Sequence, residues 1–351
     1  MSIKVLVVDD SLFMRTLITD LLNADPDIEV IGSAKSGAEA LKAVPRLRPD
    51  VITLDLTMPG ENGLATLQRL MAERPTPVIM LSAHTKEGAL TTLECLEAGA
   101  VGCVPKPSGE LSLDIDSVKV QLLESVKAAA TVNVDTLRRL AVKEPRRPGR
   151  RFAHHAKRLV VIGASTGGPQ TLEAILPMLP HDFPAPLIVL QHGPNRWFTE
   201  GFAERLQRQC ALAVKVAEDS EIVRASTIYL APSDARLTLR GDRSSEVVIT
   251  LEPRETSGGL TPSIDLTMAS VAQVYLDGAI GIILSGMGHD GLEGMKAIKR
   301  AGGQTLIQDH SALIFGMPKA VLDAGLADAA LPASDLAEGM LDLVTKGART
   351  P

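Results

Sequence analysis

The sequence predicts an α/β fold in two successive domains, each organised around a mostly parallel β-sheet. Three observations carry this. The 351 residues correspond to about two domains at roughly 150 residues each, both large enough to bury a core unaided. Apolar runs such as KVLVV, VITLDL and PVIMLS show no polar alternation, as strands buried on both faces should. Apolar residues make up 45% of the chain, with 29 Gly but only one Trp, two Tyr and six Phe. Such a core is aliphatic and its turns are tight, the composition of parallel α/β layers.

Whole classes of function fall away on composition. Lys plus Arg number 36 against 42 Asp plus Glu, a formal charge of −6, which repels nucleic acid and anionic lipid. Cys95, Cys103 and Cys210 are odd in number and share no metal spacing, so they read as reduced apolar residues rather than a disulfide frame or a zinc site. Two aspartates follow MSIKVLVV before any signal-peptide core could form, and no apolar run approaches the roughly 18 residues of a membrane span. The expectation is a soluble, cytoplasmic protein without membrane insertion.

In the first half, apolar runs begin near Ile3, Ile28, Val51, Val78 and Val101, with helix-period segments between them. This is the βα rhythm of a five-stranded parallel sheet. Ser11 is placed to cap the first helix, and Asp20 to Pro26 ends it. Pro45 falls inside the second helix and predicts a kink or an early stop.

Ligands of open parallel sheets gather at the carboxyl ends of the strands. Those ends carry an ordered set here: Asp9 and Asp10 after the first strand, Asp55 ending the third, Ser82 ending the fourth, Lys106 after the fifth. Converging carboxylates repel one another unless a hard cation sits between them, and an oxygen-rich site suits Mg²⁺. A carboxylate beside that cation can attack an acyl phosphate or a phosphohistidine, with Lys106 and Ser82 contacting the phosphoryl oxygens. Any one of these aspartates taken singly reads first as a turn former or helix cap; it is the set of five polar strand ends that points to a site.

Through VVDDS, LDLTMPG, MLSA and VPKP, residues 1–127 resemble a response-regulator receiver domain. The resemblance implies a flavodoxin-like sheet, Asp55 as phosphoacceptor, and Ser82 and Lys106 as switch residues. It also implies Asp10, Asp55 and the Thr57 carbonyl as Mg²⁺ ligands, to which the strand-end reading adds Asp9. One position departs from the pattern: three residues before the lysine, where receivers carry a mobile Phe or Tyr, stands Cys103.

Periodicity weakens after Thr131, and EPRRPGRRFAHHAKR combines prolines, glycine and a basic run. Residues 128–157 therefore read as an interdomain linker, and His154 and His155, without further ligands nearby in sequence, as solvated side chains.

A second α/β set, 158–347, starts at RLVVIGASTGGP. A β-branched strand ends at Gly163, a tight turn carries Ser165, and Gly167, Gly168 and Pro169 open a helix. The turn fits two chemistries, a GxSxG nucleophile elbow or a glycine-rich phosphate or dinucleotide cradle. Ser165 stands where the dinucleotide fingerprint GxGxxG needs its middle glycine, which favours the nucleophile. A serine needs a base, and the base an orienting acid. The strand PLIVLQH brings His192 to the same edge, and AIGIILSGMGHDG brings Asp290. Backbone amides near Met287 and Thr166 would then face the oxyanion. Rival readings stand beside these: His192 as a strand-end residue, His289 as the base, Asp290 as a helix N-cap, SGMGHDG as a phosphate loop. The order Ser, His, Asp is not that of α/β-hydrolases. Thr227 to Leu251, with the turn RGDRS, reads as strands and a hairpin closing one side of the sheet. Trp197 and Phe198 are placed either beside the cleft or as anchors of the next helix.

GASTGGP, QHGPNRWFTEGFAERL, IYLAPSDARLTL, GIILSGMGHDGLEGM and FGMPKA resemble the catalytic domain of chemotaxis protein-glutamate methylesterases, and with a receiver in front the chain resembles the CheB family. That resemblance implies Ser165 as nucleophile, His192 as base, Asp290 as acid, and Met287 and Thr166 at the oxyanion. It implies methylated chemoreceptors as substrate, their γ-glutamyl methyl esters hydrolysed to glutamate and methanol, with deamidation of certain glutamines by the same chemistry. A histidine kinase of the chemosensory pathway would donate phosphate, and the unphosphorylated receiver would cover the catalytic edge. Ester hydrolysis itself would need no cofactor. Where the family carries His-Arg-Pro-Ser before a long helix, this chain reads LTPS from Leu260 to Ser263. The alternatives are a non-catalytic, phosphorylation-dependent docking module and a nucleotide-dependent oxidoreductase, the latter lacking its glycine fingerprint.

Overall fold

The computed structural model describes residues 2–60, 62–82, 85–106, 115–132, 158–242, 246–253 and 262–345. His154 and His155, Leu260 and Thr261 of LTPS, and Arg243 and Ser244 of the hairpin turn lie outside the described residues. The chain divides into two compact units, Met1–Val142 and Lys143–Pro351.

The first unit alternates β1 (Ile3–Val8), α1 (Leu12–Asn23), β2 (Ile28–Ala34), α2 (Gly37–Leu47), β3 (Val51–Asp55), α3 (Gly63–Glu73), β4 (Val78–Ser82), α4 (Lys86–Glu97), β5 (Gly102–Pro105) and α5 (Ile115–Ala130). Its five strands pair in parallel in the order β2-β1-β3-β4-β5. β3 and β4 are buried at every position, which is why their sequences show no polar face. Each of the first four helices opens on a side chain that accepts a first-turn amide, from Ser11, Ser36, Asn62 and Thr85. These caps satisfy donors that would otherwise be orphaned beside the sheet edge. Pro45 does not end α2 early. The helix continues two residues past it to Leu47 and stops at Arg48, whose φ of 51° is left-handed. In the last turn a proline forfeits one backbone bond and little else.

The second unit runs β6 (Leu159–Ala164), α6 (Gly168–Ile175), β7 (Leu187–Gln191), α7 (Arg196–Gln209), β8 (Ala213–Val216), β9 (Thr227–Leu230), β10 (Ala235–Arg240), β11 (Val248–Pro253), α8 (Ile264–Tyr275), β12 (Ala279–Ile283), α9 (Leu292–Arg300), β13 (Gln304–Gln308), α10 (Met317–Asp323), β14 (Ala329–Leu331) and α11 (Ala333–Thr345). Seven strands form one parallel sheet in the order β14-β13-β12-β6-β7-β9-β8. The central strands β12, β6 and β7 are fully buried, and their carboxyl ends lie side by side. The predicted hairpin is β10 with β11, an antiparallel pair forming its own two-stranded sheet. It packs on α8, where Thr267 Oγ1 donates to Leu237 O at 2.6 Å and Leu239 N donates to Ser270 Oγ at 3.2 Å. β9, from the same predicted segment, instead joins the main sheet.

Candidate active site and acidic cluster

The carboxyl ends of β1, β3, β4 and β5 bring the predicted residues of the first unit together. Oxygens of Asp9, Asp10 and Asp55 lie within 4.8 Å of one another. Asp9 and Asp55 are buried and Asp10 is exposed. Lys106 Nζ bridges the buried pair, 2.7 Å from Asp9 Oδ2 and 2.8 Å from Asp55 Oδ1. Asp9 Oδ1 accepts the Ser11 N–H at 2.9 Å and Asp55 Oδ1 the Thr57 N–H at 3.0 Å. Asp55 Oδ2 is buried without a hydrogen-bond partner. Burial pushes the Asp55 carboxyl above the usual carboxylate range, although Lys106 and the Thr57 amide pull it down. Burial works against the Lys106 ammonium, yet bonds to Asp55 and Asp9 raise its pKa overall. An orphaned buried oxygen in an all-oxygen cluster fits a hard divalent cation such as Mg²⁺. Ser82, buried at the end of β4, accepts the Lys106 N–H at its carbonyl, 2.8 Å away. Cys103 meets the Thr92 hydroxyl of α4 at 3.5 Å, and burial pushes its thiol up to about 11, so it stays neutral at physiological pH.

In the second unit Ser165 follows β6, His192 follows β7 and Asp290 follows β12, all at one edge. Parallel pairing sets Ala164 beside Gln191, and the His192 N–H donates to Ala164 O at 3.0 Å. The Ser165 N–H donates to Ser285 O at 2.9 Å, tying the Ser165 turn to the end of β12. The His192 Nε2 lies 2.9 Å from Asp290 Oδ2, with both side chains largely buried. Burial alone would raise the Asp290 carboxyl. The His192 bond and charge, with the amides of Ile264 and Asp265, outweigh it and hold the group below the usual range. Between Ser165 Oγ and His192 there is no hydrogen bond among the described residues.

Asp290 is not the cap of the helix that follows it. The N-cap of α9 is Gly291, whereas Asp290 accepts the first amides of α8, Ile264 N and Asp265 N, both at 3.0 Å. The rival base His289 is exposed. The amides of Thr166 and Met287 meet no acceptor among the described residues, so two donors remain free beside Ser165. Phe198 is buried and stacks on Phe202 with ring centroids 6.1 Å apart, whereas Trp197 is 42% exposed. Phe198 is therefore the helix anchor.

Three residues that sequence reasoning did not single out hold this edge in place. Gln191, 6% exposed, donates Nε2 to Ser165 O at 3.0 Å and to His192 O at 2.8 Å. Ser285 donates to Thr166 O at 2.7 Å and accepts the Ile314 N–H at 2.9 Å. Asp265 accepts the Gly291 N–H at 2.9 Å and the Gly294 N–H at 2.7 Å. A polar residue ending an apolar strand, as in LIVLQ and AIGIILS, was the available signal for the first two. Asp265 has none, because its partners lie 26 and 29 residues away. The FGMPKA motif backs the same turn, with Gly316 and Met317 amides on Gly286 O at 3.1 and 2.8 Å. Gly286 is needed there: a Cβ would stand 2.8 Å from Ser165 Cβ and 2.2 Å from Met317 Sδ. Gly167 opens α6 at φ 79°, where a Cβ would meet Ser285 Oγ at 2.5 Å.

Residues 160–340 match the CheB methylesterase family model and residues 5–115 the response regulator receiver domain model. A protein-glutamate methylesterase/protein-glutamine glutaminase of Thermotoga maritima is 41% identical over 349 residues, covering 97% of this chain and 98% of the relative. Its Geobacillus kaustophilus counterpart is 41% identical over 347 residues, covering 98% and 99%. Among solved structures, the Thermotoga maritima CheB methylesterase catalytic domain aligns with a TM-score of 0.51 at 40% identity, covering 53% of this chain and 98% of that one.

Proposed function

The chain belongs to the CheB methylesterase family, and from that premise we propose how its residues divide the work of a phosphorylation-regulated protein-glutamate methylesterase/glutaminase. Ser165 Oγ attacks the carbonyl of a γ-glutamyl methyl ester on a methylated chemoreceptor. With Nε2 engaged by Asp290, the Nδ1 of His192 is the ring nitrogen that takes the serine proton and returns it to the departing methanol. Asp290, kept ionised by two helix amides, holds the tautomer and stabilises the imidazolium. Free amides of Thr166 and Met287 receive the oxyanion. Water then repeats the cycle on the acyl-enzyme, and a glutamine carboxamide in place of the ester releases ammonia. The observation that carries this reading is the His192–Asp290 pair at 2.9 Å on the edge that bears Ser165. A docking module gives no reason for an ionised carboxylate aimed at an imidazole.

In the receiver, Asp55 accepts the phosphoryl group from the histidine kinase of the chemosensory pathway. Asp9, Asp10, Asp55 and the Thr57 carbonyl would hold Mg²⁺, which when bound supplies charge neutralisation for the phosphoryl oxygens. Lys106, held on Asp9 and Asp55 in this state, and Ser82 would then contact the phosphoryl oxygens. No described helix is long and apolar enough to cross a membrane; phosphate from a histidine kinase would reach the receiver in the cytoplasm. Methanol release from a methylated chemoreceptor fragment tests both halves. Wild type should release it faster with Mg²⁺ and an acyl phosphate. Ser165→Ala should release none yet still take up phosphate, and Asp55→Ala should keep the basal rate and lose the response. Full activity in Ser165→Ala overturns the nucleophile assignment.

A further inference from the structure

Asp290 and Asp265 cap each other's helices. Asp290, immediately ahead of α9, puts its carboxylate on the first two amides of α8. Asp265, in the first turn of α8, puts Oδ1 on the Gly291 and Gly294 amides that open α9. The α9 N-cap, Gly291, has no side chain to offer, so the cap that a helix normally takes from its own N-cap residue comes from Asp265 in the neighbouring helix. Gly291 N belongs to the peptide bond that follows Asp290, so the backbone of Asp290 is pinned from α8 on the same side as its carboxylate. Two anchors, one on the side chain and one on the adjoining peptide, leave the carboxylate a single orientation.

The arrangement sets two acidic groups against each other. Burial and the neighbouring Asp290 charge push the Asp265 carboxyl upward, against the amides of Gly294, Gly291 and Glu293. What offsets that cost is the pair of amides on one oxygen, Asp265 Oδ1, at 2.9 and 2.7 Å, so the contribution of Asp265 is an acceptor at a fixed place rather than a charge.

We propose that Asp265 is a positioning residue, which by accepting the Gly291 and Gly294 amides aims Asp290 Oδ2 at His192 Nε2. This rests on the reading of Asp290 and His192 as acid and base. What Asp265 supplies is an oxygen at a defined place, so the amide of Asn replaces it and the longer carboxylate of Glu does not.

The test uses the full chain with Asp265→Asn, Asp265→Glu and Asp265→Ala, assayed for methanol release and for the His192 Nε2 proton resonance. Asp265→Asn should keep kcat within about threefold. Asp265→Glu and Asp265→Ala should lose up to about a hundredfold in kcat, the scale of a 1 Å misplacement, with KM unchanged. The low-field His192 proton should persist in Asp265→Asn and disappear in the other two. Receiver phosphorylation should be the same in all. If Asp265→Ala does not fold, the order of Asn above Glu still decides. Glu equal to or better than Asn would mean that charge, not placement, is what Asp265 supplies, and would overturn the proposal, as would wild-type kcat and resonance in Asp265→Ala. The two readings fail separately: full hydrolysis by Asp290→Asn would remove the triad, while the His192 resonance compared across the Asp265 variants would still report whether Asp265 aims Asp290.

Discussion

Replacing Gln191 by Glu keeps the side-chain shape and removes the two N–H donors that join the Ser165 turn to the His192 turn. In the wild type Nε2 lies 3.0 Å from Ser165 O and 2.8 Å from His192 O. Ser165 O keeps a second donor, the Gly168 N–H at 2.8 Å, but His192 O has no other donor among the described residues. One buried carbonyl left unpaired costs about 1–3 kcal/mol. At about 2–4 °C per kcal/mol for a domain of this size, melting of the C-terminal unit should fall by about 2–12 °C. The introduced carboxyl adds a pH signature. Burial raises its folded pKa above the unfolded value of about 4.3. The penalty is then absent below that value and grows as pH rises through the folded pKa. Thermal unfolding by near-ultraviolet circular dichroism should show the smallest gap from wild type near pH 4 and a widening gap toward pH 8. Methanol release at pH 7 should fall with it. Equal melting temperatures at both pH values, with unimpaired release, would refute the claim that Gln191 ties the two turns together.

The Asp290 carboxyl is held below its usual range, so its ionised form contributes stability above the unfolded pKa of about 3.9 and loses it as pH falls through the folded value. Denaturant unfolding should therefore give a gap between wild type and Asp290→Asn that is steady from pH 7 to 5 and narrows below about 4; a gap that stays constant to pH 3 contradicts the assignment. Lys106→Met removes the cation between two buried carboxylates, a loss of about 3–5 kcal/mol for a pair broken on one side. Millimolar Mg²⁺ should then raise the melting temperature of the receiver more in the variant than in wild type, and equal shifts would argue against a shared cation and ammonium site.

Much of this protein is readable along the chain because its chemistry is tied to strand ends. The apolar runs KVLVV, VITLDL and LVVIGA could only be buried strands, and the residue after such a run in a parallel sheet arrives at the ligand-binding edge. Asp9, Asp55, Ser165 and His192 were therefore legible from position alone, and the hairpin from its turn. Pro45 misled because its effect depends on where in the helix it falls, which periodicity does not resolve.

Tertiary structure decided what each group faces. That Asp290 serves α8 rather than the helix beginning beside it, that Asp265 answers across 26 residues, and that Gln191 joins two turns are contacts between segments distant in sequence. A hydrogen bond is a matter of ångströms and direction, and no local pattern encodes the side of a neighbouring strand or helix on which a donor will stand. Local sequence determined which residues reach the edge, since strand periodicity is a property of neighbouring residues. Packing determined which of them are aimed at one another, since orientation is set only once the helices and strands are in place.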